Sequence, residues 1–327
     1  MTKALQASAI APANIAFIKY WGRKDAQLRL PANDSISMNL GGIETKTSVK
    51  FSPDLQQDTL TINGEPASSK ERSRVSRFLD TIRNLSEFKY FASVDSHNNF
   101  PKGTGIASSA SGFAALTVAA TAALGLEFSE RELSQLARLG SGSACRSIPD
   151  GFVEWKTANL HQDSYAYSLF PADHWDIVDV IAIVDAKEKK YSSSQGHEAA
   201  VKSPFFAARQ EYLVSQTARL KDALERKDFS TFGECLEQET INFQSVIMTS
   251  QPAIYYWNPT TMAIILFVQQ LREQGLAVYF SIDAGPNVHL IVEQKNVETL
   301  KRELGKIEGI AQLMVAPPAP GARVVSN

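Results

Sequence analysis

The sequence predicts an α+β protein of two domains, and three observations predict it. Strand-like and helix-like periodicities occur in both halves, without the regular strand–helix alternation of a parallel sheet. The 327 residues amount to about two domains at roughly 150 residues each. The texture changes at the charge run Lys187-Glu188-Lys189-Lys190, which separates a strand-rich half from a helix-rich one. The boundary is placed at 185, giving domains 1–185 and 186–327.

Each element follows from local pattern. Residues 9–18 read as a buried strand interrupted by Pro12. Residues 45–51 alternate in the strand manner, and 58–62 form another strand before the hairpin-type Asn63-Gly64. Val75, Phe78, Leu79 and Ile82 have helical spacing within 69–85. Residues 89–96 are strand-like. A Gly/Ser-rich loop at 103–111 then runs into a helix over 109–124. A short amphipathic helix spans 130–139, with Ser129 as its cap. Strands follow at 152–155 and 175–186. Beyond the charge run, helices are expected at 203–225, 228–248 and 259–274. Two short strands, 276–282 and 288–293, flank Asp283-Ala284-Gly285-Pro286-Asn287. A last helix covers 297–304, and the Pro-rich 316–321 is irregular.

Composition excludes several classes. Apolar residues are 44% and charged residues 21%, as in an ordinary soluble globular chain. Lys plus Arg is 33 against 35 Asp plus Glu, a formal charge of −2, which argues against nucleic-acid binding by bulk charge. Two distant cysteines, Cys145 and Cys235, make neither a disulfide framework nor a zinc site. Residues 113–126 are the most apolar run and too short to span a bilayer. With no signal pattern at the start, the expected compartment is the cytoplasm.

The chemistry concentrates in four segments. In 98–113, NNFPKGTGIASSASGF, Gly103 and Gly105 let backbone approach a ligand. Ser108, Ser109 and Ser111 supply hydroxyls, and the following helix offers free N–H groups to phosphate. The alternative is a tight turn with capping serines. The Gly-Lys-Ser/Thr of a P-loop is absent, and Ser108 stands where a dinucleotide-binding loop needs Gly or Ala. Residues 19–25 hold Lys19, Arg23, Lys24, Tyr20 and Trp21, a segment that suits an anionic substrate; read alone, it is a solvated turn. Residues 140–146 combine small residues with Arg146, suited to gripping carboxylate or phosphate, or else form a helix end and loop. Asp283 leaves an apolar strand and is either a working carboxylate or an Asx turn. The five histidines show no metal-ligand spacing and read as surface or core residues, and Cys145 reads as a buried filler.

Taken in order, APANIAFIKYWGRKD, NNFPKGTGIASSASGFAAL, GSGSACRSIPDGFVEW, YSSSQG and DAGPN closely resemble the diphosphomevalonate decarboxylase family. The resemblance runs from about residue 8 to 292. The glycine-rich loop marks only the wider superfamily of small-molecule kinases; IKYWG, GSGSACRS and DAGPN in this order are much more specific to the decarboxylase branch. The resemblance implies a ribosomal-S5-like N-terminal domain and a ferredoxin-like C-terminal domain with the active site in the cleft between them. It implies ATP-dependent decarboxylation of (R)-5-diphosphomevalonate through phosphorylation of its 3-hydroxyl, with ATP and Mg²⁺ required. A homodimer is implied as well.

The resemblance also assigns roles. Asp283 orients or deprotonates the 3-hydroxyl, Lys19 stabilises the charge beside it, and Arg146 holds the C1 carboxylate. Ser141, Ser143, Ser193, Ser194 and Trp21 contact the substrate. Tyr20, Arg23 and Arg74 bind its diphosphate, with Arg72 a rival to Arg74. Ser96, Asn98, Gly103, Gly105, Ser108, Ser109 and Ser111 bind ATP, and Ser108 and Ser109 share Mg²⁺. Lys187, Lys189 and Lys190 lie in a segment expected over the γ-phosphate. At Tyr191 and His197 the family commonly has hydrophobic residues. Three other readings are weighed: a 5-phosphomevalonate decarboxylase or 3-kinase, a catalytically inactive nucleotide-binding protein, and a dinucleotide-dependent dehydrogenase.

Overall fold

The computed structural model of the protein describes residues 5–100, 108–184 and 191–326. Gly103, Gly105, Lys187, Lys189 and Lys190 lie outside them. The observed class is α+β.

The first sheet is built on two long strands. Strand β1 (Gln6–Ile18) pairs antiparallel with β4 (Ser35–Ser52), which follows the short hairpin β2 (Arg23–Asp25) and β3 (Leu30–Pro31). Pro12 does not end β1. A bulge between Pro12 and Ala13 absorbs it, and the ladder continues to Ile18. Strand β4 is far longer than its alternating stretch at 45–51. Its outer half pairs with β7 (Phe91–Asn98) and its inner half with β8 (Phe152–Trp155), so one strand serves two neighbours in turn. Strands β5 (Thr59–Ile62), β6 (Glu65–Pro66) and β9 (Ala166–Phe170) extend this sheet.

Among the described residues, three α-helices belong to this part. Helix α1 (Ser69–Arg83) starts with a capping box from Ser68 and Glu71. Helix α2 (Ser108–Ala123) is apolar and small-residued nearly all round, because it is buried against β1 and β4 on one side and other elements elsewhere. Helix α3 (Glu130–Gly140) is capped by Ser129 and ends at a 3₁₀ turn, Gly142–Ser147.

The second sheet runs β11-β12-β10-β13, all antiparallel: β10 (Ile177–Ile183), β11 (Val278–Ser281), β12 (Val288–Glu293) and β13 (Gln312–Ala316). Alternate residues of β10 serve two cores. Val178, Val180 and Ala182 pack with α7 (Pro259–Glu273) and α8 (Val297–Leu304). Ile177, Ile181 and Ile183 share a core with α5 (Phe206–Arg226), α6 (Phe229–Met248) and the inner ends of β1 and β4. That shared core joins the two sheets.

Sheet membership differs from a division at 185. Strand β10 lies in the second sheet, and the final strand β14 (Arg323–Val325) returns to the edge of β1. Local periodicity carries no information on either partner. Helix α4 (Ser193–Ala200) was not anticipated either, since it lacks an apolar stripe. Its signal is the capping box between Ser192 and Gln195.

Candidate active site

At the junction of the sheets lies a cleft of about 410 Å³. Its floor is an ion pair. Lys19, just past the end of β1, donates from Nζ to Asp283 Oδ1, Ser281 Oγ and the Ala16 carbonyl, each at 2.6 Å. All three ammonium protons are thus directed, which fixes a side chain that is only 2% exposed. The Lys19 backbone N–H donates to Glu239 Oε1 at 2.9 Å, and Glu239 is locked to Arg209 in a pair fully buried on both sides. Lys19 is therefore no part of a solvated turn. It sits where β1, α6 and β11 converge. Asp283 stands just past β11 and keeps 27% of its side chain exposed. Its carboxylate reaches across 264 positions of sequence instead of capping its own turn, as the Asx reading would have it.

The charges explain each other. Burial pushes the Asp283 carboxyl up, but Lys19 first, then His289 and Arg146, hold it below the ordinary carboxylate range. Burial pulls the Lys19 ammonium below the ordinary lysine range, and Asp283 restores only part of it. Asp283 is thus a firmly ionised carboxylate and a weak base.

Arg146, on the 3₁₀ turn, forms one wall. It is 4% exposed, and it donates to Asn14 Oδ1 at 3.0 Å and Ser35 Oγ at 3.0 Å. Asn14 in turn donates to Ser147 Oγ and the Ser143 carbonyl. Burial lowers the Arg146 pKa, and no carboxylate lies within ion-pair distance of it among the described residues. Beside it, Ser141 and Ser143 line the cleft; the Ser141 hydroxyl links to Ser109 of α2 at 3.3 Å and to the Ser143 hydroxyl at 3.4 Å.

The other end of the cleft is a guanidinium cluster. Arg23 donates to the Tyr20 hydroxyl at 2.8 Å, Arg29 to the Leu139 carbonyl, and Arg74 to the Gly140 carbonyl, with Arg74 lying over the Phe113 ring. None of the three has a carboxylate partner among the described residues. Burial, then the like charges of Arg29, Arg23 and Arg77, lowers the Arg74 pKa to about 10. Arg74, not the exposed Arg72, faces the cleft. Lys24 points away to Asn159.

Close packing holds the aromatic wall. Tyr20 lies against Gly142 and Trp21 against Gly196; an added Cβ would come within 2.5 and 2.3 Å of the rings. Ser193 and Ser194, at the start of α4, complete the lining. Arg29, Ser192, His197 and Phe243 line the cleft too, and sequence reasoning gave none of them a site role. For Ser192 the available signal was its place in the serine run. For Arg29 there was none.

A second, mostly apolar cavity of about 200 Å³ adjoins the first. Leu60, Ile62, Val75, Val94 and Phe113 line it, with Ser96 and Asn98 from β7. Ser108, Ser109 and Arg74 line both cavities, so the first turn of α2, whose N–H groups have no partner within the helix, lies between them. Ser111 lines neither. It is fully buried, bonded to Thr45 Oγ1, which itself donates to Asn98 Oδ1. Cys145 is fully buried, its thiol pushed up to about 12 by burial, as suits a filler.

The pair of cavities fits a nucleotide: an apolar slot for a base, then amides and hydroxyls for phosphates. Among the described residues no cluster of three His, Cys, Asp or Glu could hold a metal ion. The hydroxyls of Ser108 and Ser109 fit a Mg²⁺ that keeps phosphate oxygens and water as its main ligands. No helix among the described residues is long and apolar enough to cross a membrane.

Comparison with known proteins agrees with this geometry. A family model described as the diphosphomevalonate decarboxylase-like N-terminal domain matches residues 11–166. One described as the mevalonate 5-diphosphate decarboxylase C-terminal domain matches residues 179–313. The chain is 36% identical to a diphosphomevalonate decarboxylase of Candida albicans, over 93% of this chain and 90% of that protein. It is 32% identical to a phosphomevalonate decarboxylase of Haloferax volcanii, over 91% of both. A solved structure described as MDDEF in complex with MVAPP, AMPPCP and magnesium superposes with a TM-score of 0.94 at 35% identity, over 99% of this chain and 100% of that one. With both halves matched in order and full-length relatives above 30% identity, the chain belongs to the diphosphomevalonate decarboxylase family.

Proposed function

We propose that this chain catalyses the ATP-dependent decarboxylation of (R)-5-diphosphomevalonate to isopentenyl diphosphate, ADP, phosphate and carbon dioxide. The observation that carries the reading is that one cleft holds the Lys19–Asp283 pair, Arg146 and the Arg23, Arg29 and Arg74 cluster, the four guanidinium groups having no carboxylate partner among the described residues. A substrate with a carboxylate, a tertiary hydroxyl and a diphosphate has one group for each of these three features. Arg146 takes the C1 carboxylate, with Ser141 and Ser143 beside it. Arg23, Arg29, Arg74 and Tyr20 take the diphosphate. Trp21, Ser193 and Ser194 close the substrate's flank.

The low basicity of Asp283 favours an orienting role. In a loose phosphoryl-transfer transition state the attacking hydroxyl loses its proton late. A carboxylate that accepts its hydrogen bond aligns the oxygen and takes the proton only as it becomes acidic. Lys19 offsets the negative charge that gathers there. The 3-hydroxyl attacks the γ-phosphorus at the α2 start, and ADP leaves. The C3–O bond then breaks with departure of phosphate, C1 leaves as carbon dioxide, and C2=C3 forms. Bound Mg²⁺ would neutralise phosphate charge. Ser96 and Asn98 line the proposed base slot, Ser108 and Ser109 meet the phosphates, and Ser111 supports Asn98 through Thr45. Lys187, Lys189 and Lys190 remain proposed for the γ-phosphate. By the family resemblance we also assign a cytoplasmic homodimer, which light scattering tests for the assembly.

A second reading has a specific observation behind it: the Haloferax relative is named for the monophosphorylated substrate. Three guanidinium groups without carboxylate partners among the described residues favour the diphosphate. The test is carbon dioxide release with ATP and Mg²⁺ from each substrate. Faster release from 5-diphosphomevalonate is expected; faster release from 5-phosphomevalonate would reassign the substrate.

A further inference from the structure

His197 occupies an unusual place for a histidine. It lies on α4, 6% exposed, and its ring is held between Tyr20 and Trp21 at centroid distances of 4.2 and 4.6 Å. The ring lines the main cleft. Its Nδ1 is committed, because the backbone N–H of Gly22 lies 3.1 Å away and can only donate. An Nδ1 that accepts must carry no proton, so the single ring proton of the neutral form is on Nε2. That nitrogen has no hydrogen-bond partner among the described residues.

The charge state follows from the surroundings. Burial first, then Arg23, Arg29 and Arg146, holds the imidazole well below its ordinary titration range. Among the described residues no carboxylate opposes them. Arg23 and Arg29 belong to the guanidinium cluster and Arg146 to the wall of the same cleft, so the ring lies within electrostatic reach of both. An imidazolium there would repel its neighbours and lose the Gly22 hydrogen bond. A neutral ring keeps that bond and leaves one N–H unspent.

We propose that His197 is a substrate-binding and specificity-determining residue, whose neutral Nε2–H donates a hydrogen bond to an anionic oxygen of the bound substrate. The inference rests on the proposed function for the identity of that substrate. Its chemistry needs only a phosphate or carboxylate oxygen within the cleft. Such a donor adds directional recognition where the arginines add mainly charge, since its reach is fixed by the Tyr20–Trp21 sandwich and by Gly22.

Two experiments decide it. The first reads ¹⁵N–¹H spectra of histidine-labelled wild-type enzyme between about pH 6 and 8. The neutral Nε2–H tautomer of His197 is expected throughout, with its resonance displaced on adding 5-diphosphomevalonate. An Nδ1–H tautomer, an imidazolium, or an undisplaced resonance in the saturated complex would overturn the proposal. This arm needs binding but no turnover, so it separates the proposal from the decarboxylase reading, which fails if saturated wild-type enzyme releases no carbon dioxide. The second compares His197→Leu with His197→Gln, whose amide can place a donor near the Nε2 position. His197→Leu should raise KM for the phosphorylated substrate by about tenfold, leave kcat within about twofold, and leave KM for ATP unchanged. His197→Gln should recover most of the loss. An unchanged KM in the leucine variant, or equal loss in both variants with wild-type melting temperatures, would reduce the ring to packing.

Discussion

Asp283 and Lys19 carry opposite charge in a site that is half dry, and each changes what the other can do. The sign of their shifts makes a pH prediction. Asp283 titrates below the ordinary carboxylate range, so its charge is present above that range and lost only as pH falls through the lowered value. Lys19 titrates below the ordinary lysine range, so its charge is lost earlier than usual as pH rises. The profile of kcat should therefore stay flat through the ordinary carboxylate range and fall on the alkaline side before an ordinary lysine would. A mid-range acidic limb that moves with Asp283 substitutions would contradict the assignment. Arg29 makes a second residue-scale prediction. Arg29→Ala should raise KM for the diphosphorylated substrate by about tenfold and leave KM for ATP alone, since removing one charge-assisted contact costs about 1.5–3 kcal/mol. Steady-state kinetics checks it, and an unchanged KM would remove Arg29 from the diphosphate site. In the sequence, the site roles of Lys19 and Asp283 came only through the family resemblance. Read alone, Lys19 looked like a surface charge because its neighbours Arg23 and Lys24 are charged, and its burial depends on Glu239 and Ser281, more than 200 positions away.

Helix α4 shows what an element can hide. It has no apolar stripe, yet it brings Ser193, Ser194 and His197 to the cleft, with Gly196 and His197 against Trp21. Gly196 permits that approach. Gly196→Ala puts a methyl 2.3 Å from the Trp21 ring, and overpacking of this kind costs about 1–3 kcal/mol. The variant should melt lower and show a raised KM for the phosphorylated substrate; an unaltered melting temperature would mean that α4 shifts freely. Other elements were plain in advance. Helices α5, α6 and α7 begin and end close to their periodic stretches, because each buries a stripe against a sheet. Strand β4 was half legible. Its alternation at 45–51 is clear, whereas its inner half, Ser35 to Leu40, is buried at every position and so does not alternate.

At the scale of the whole molecule, a nearly neutral chain places a group of arginines in one cleft. Arg23, Arg29, Arg74 and Arg146 line a single cleft without carboxylate partners among the described residues. Salt should therefore raise KM for the phosphorylated substrate more than it lowers kcat, because screening weakens the cluster's attraction. The α+β class and the order of the motifs were readable from sequence. How the two sheets interlock was not, since β10 and β14 choose their partners by long-range packing.

The central claim is that this cleft couples phosphoryl transfer from ATP to loss of carbon dioxide, with Asp283 holding the reacting hydroxyl. Parallel measurement of ADP and carbon dioxide from 5-diphosphomevalonate, in wild type and in Asp283→Asn, tests it most directly. Wild type should release the two products one for one. The variant should lose about 10³-fold in turnover while binding substrate and nucleotide nearly as before. ADP without carbon dioxide in wild type, or near-normal turnover in the variant, would contradict the account.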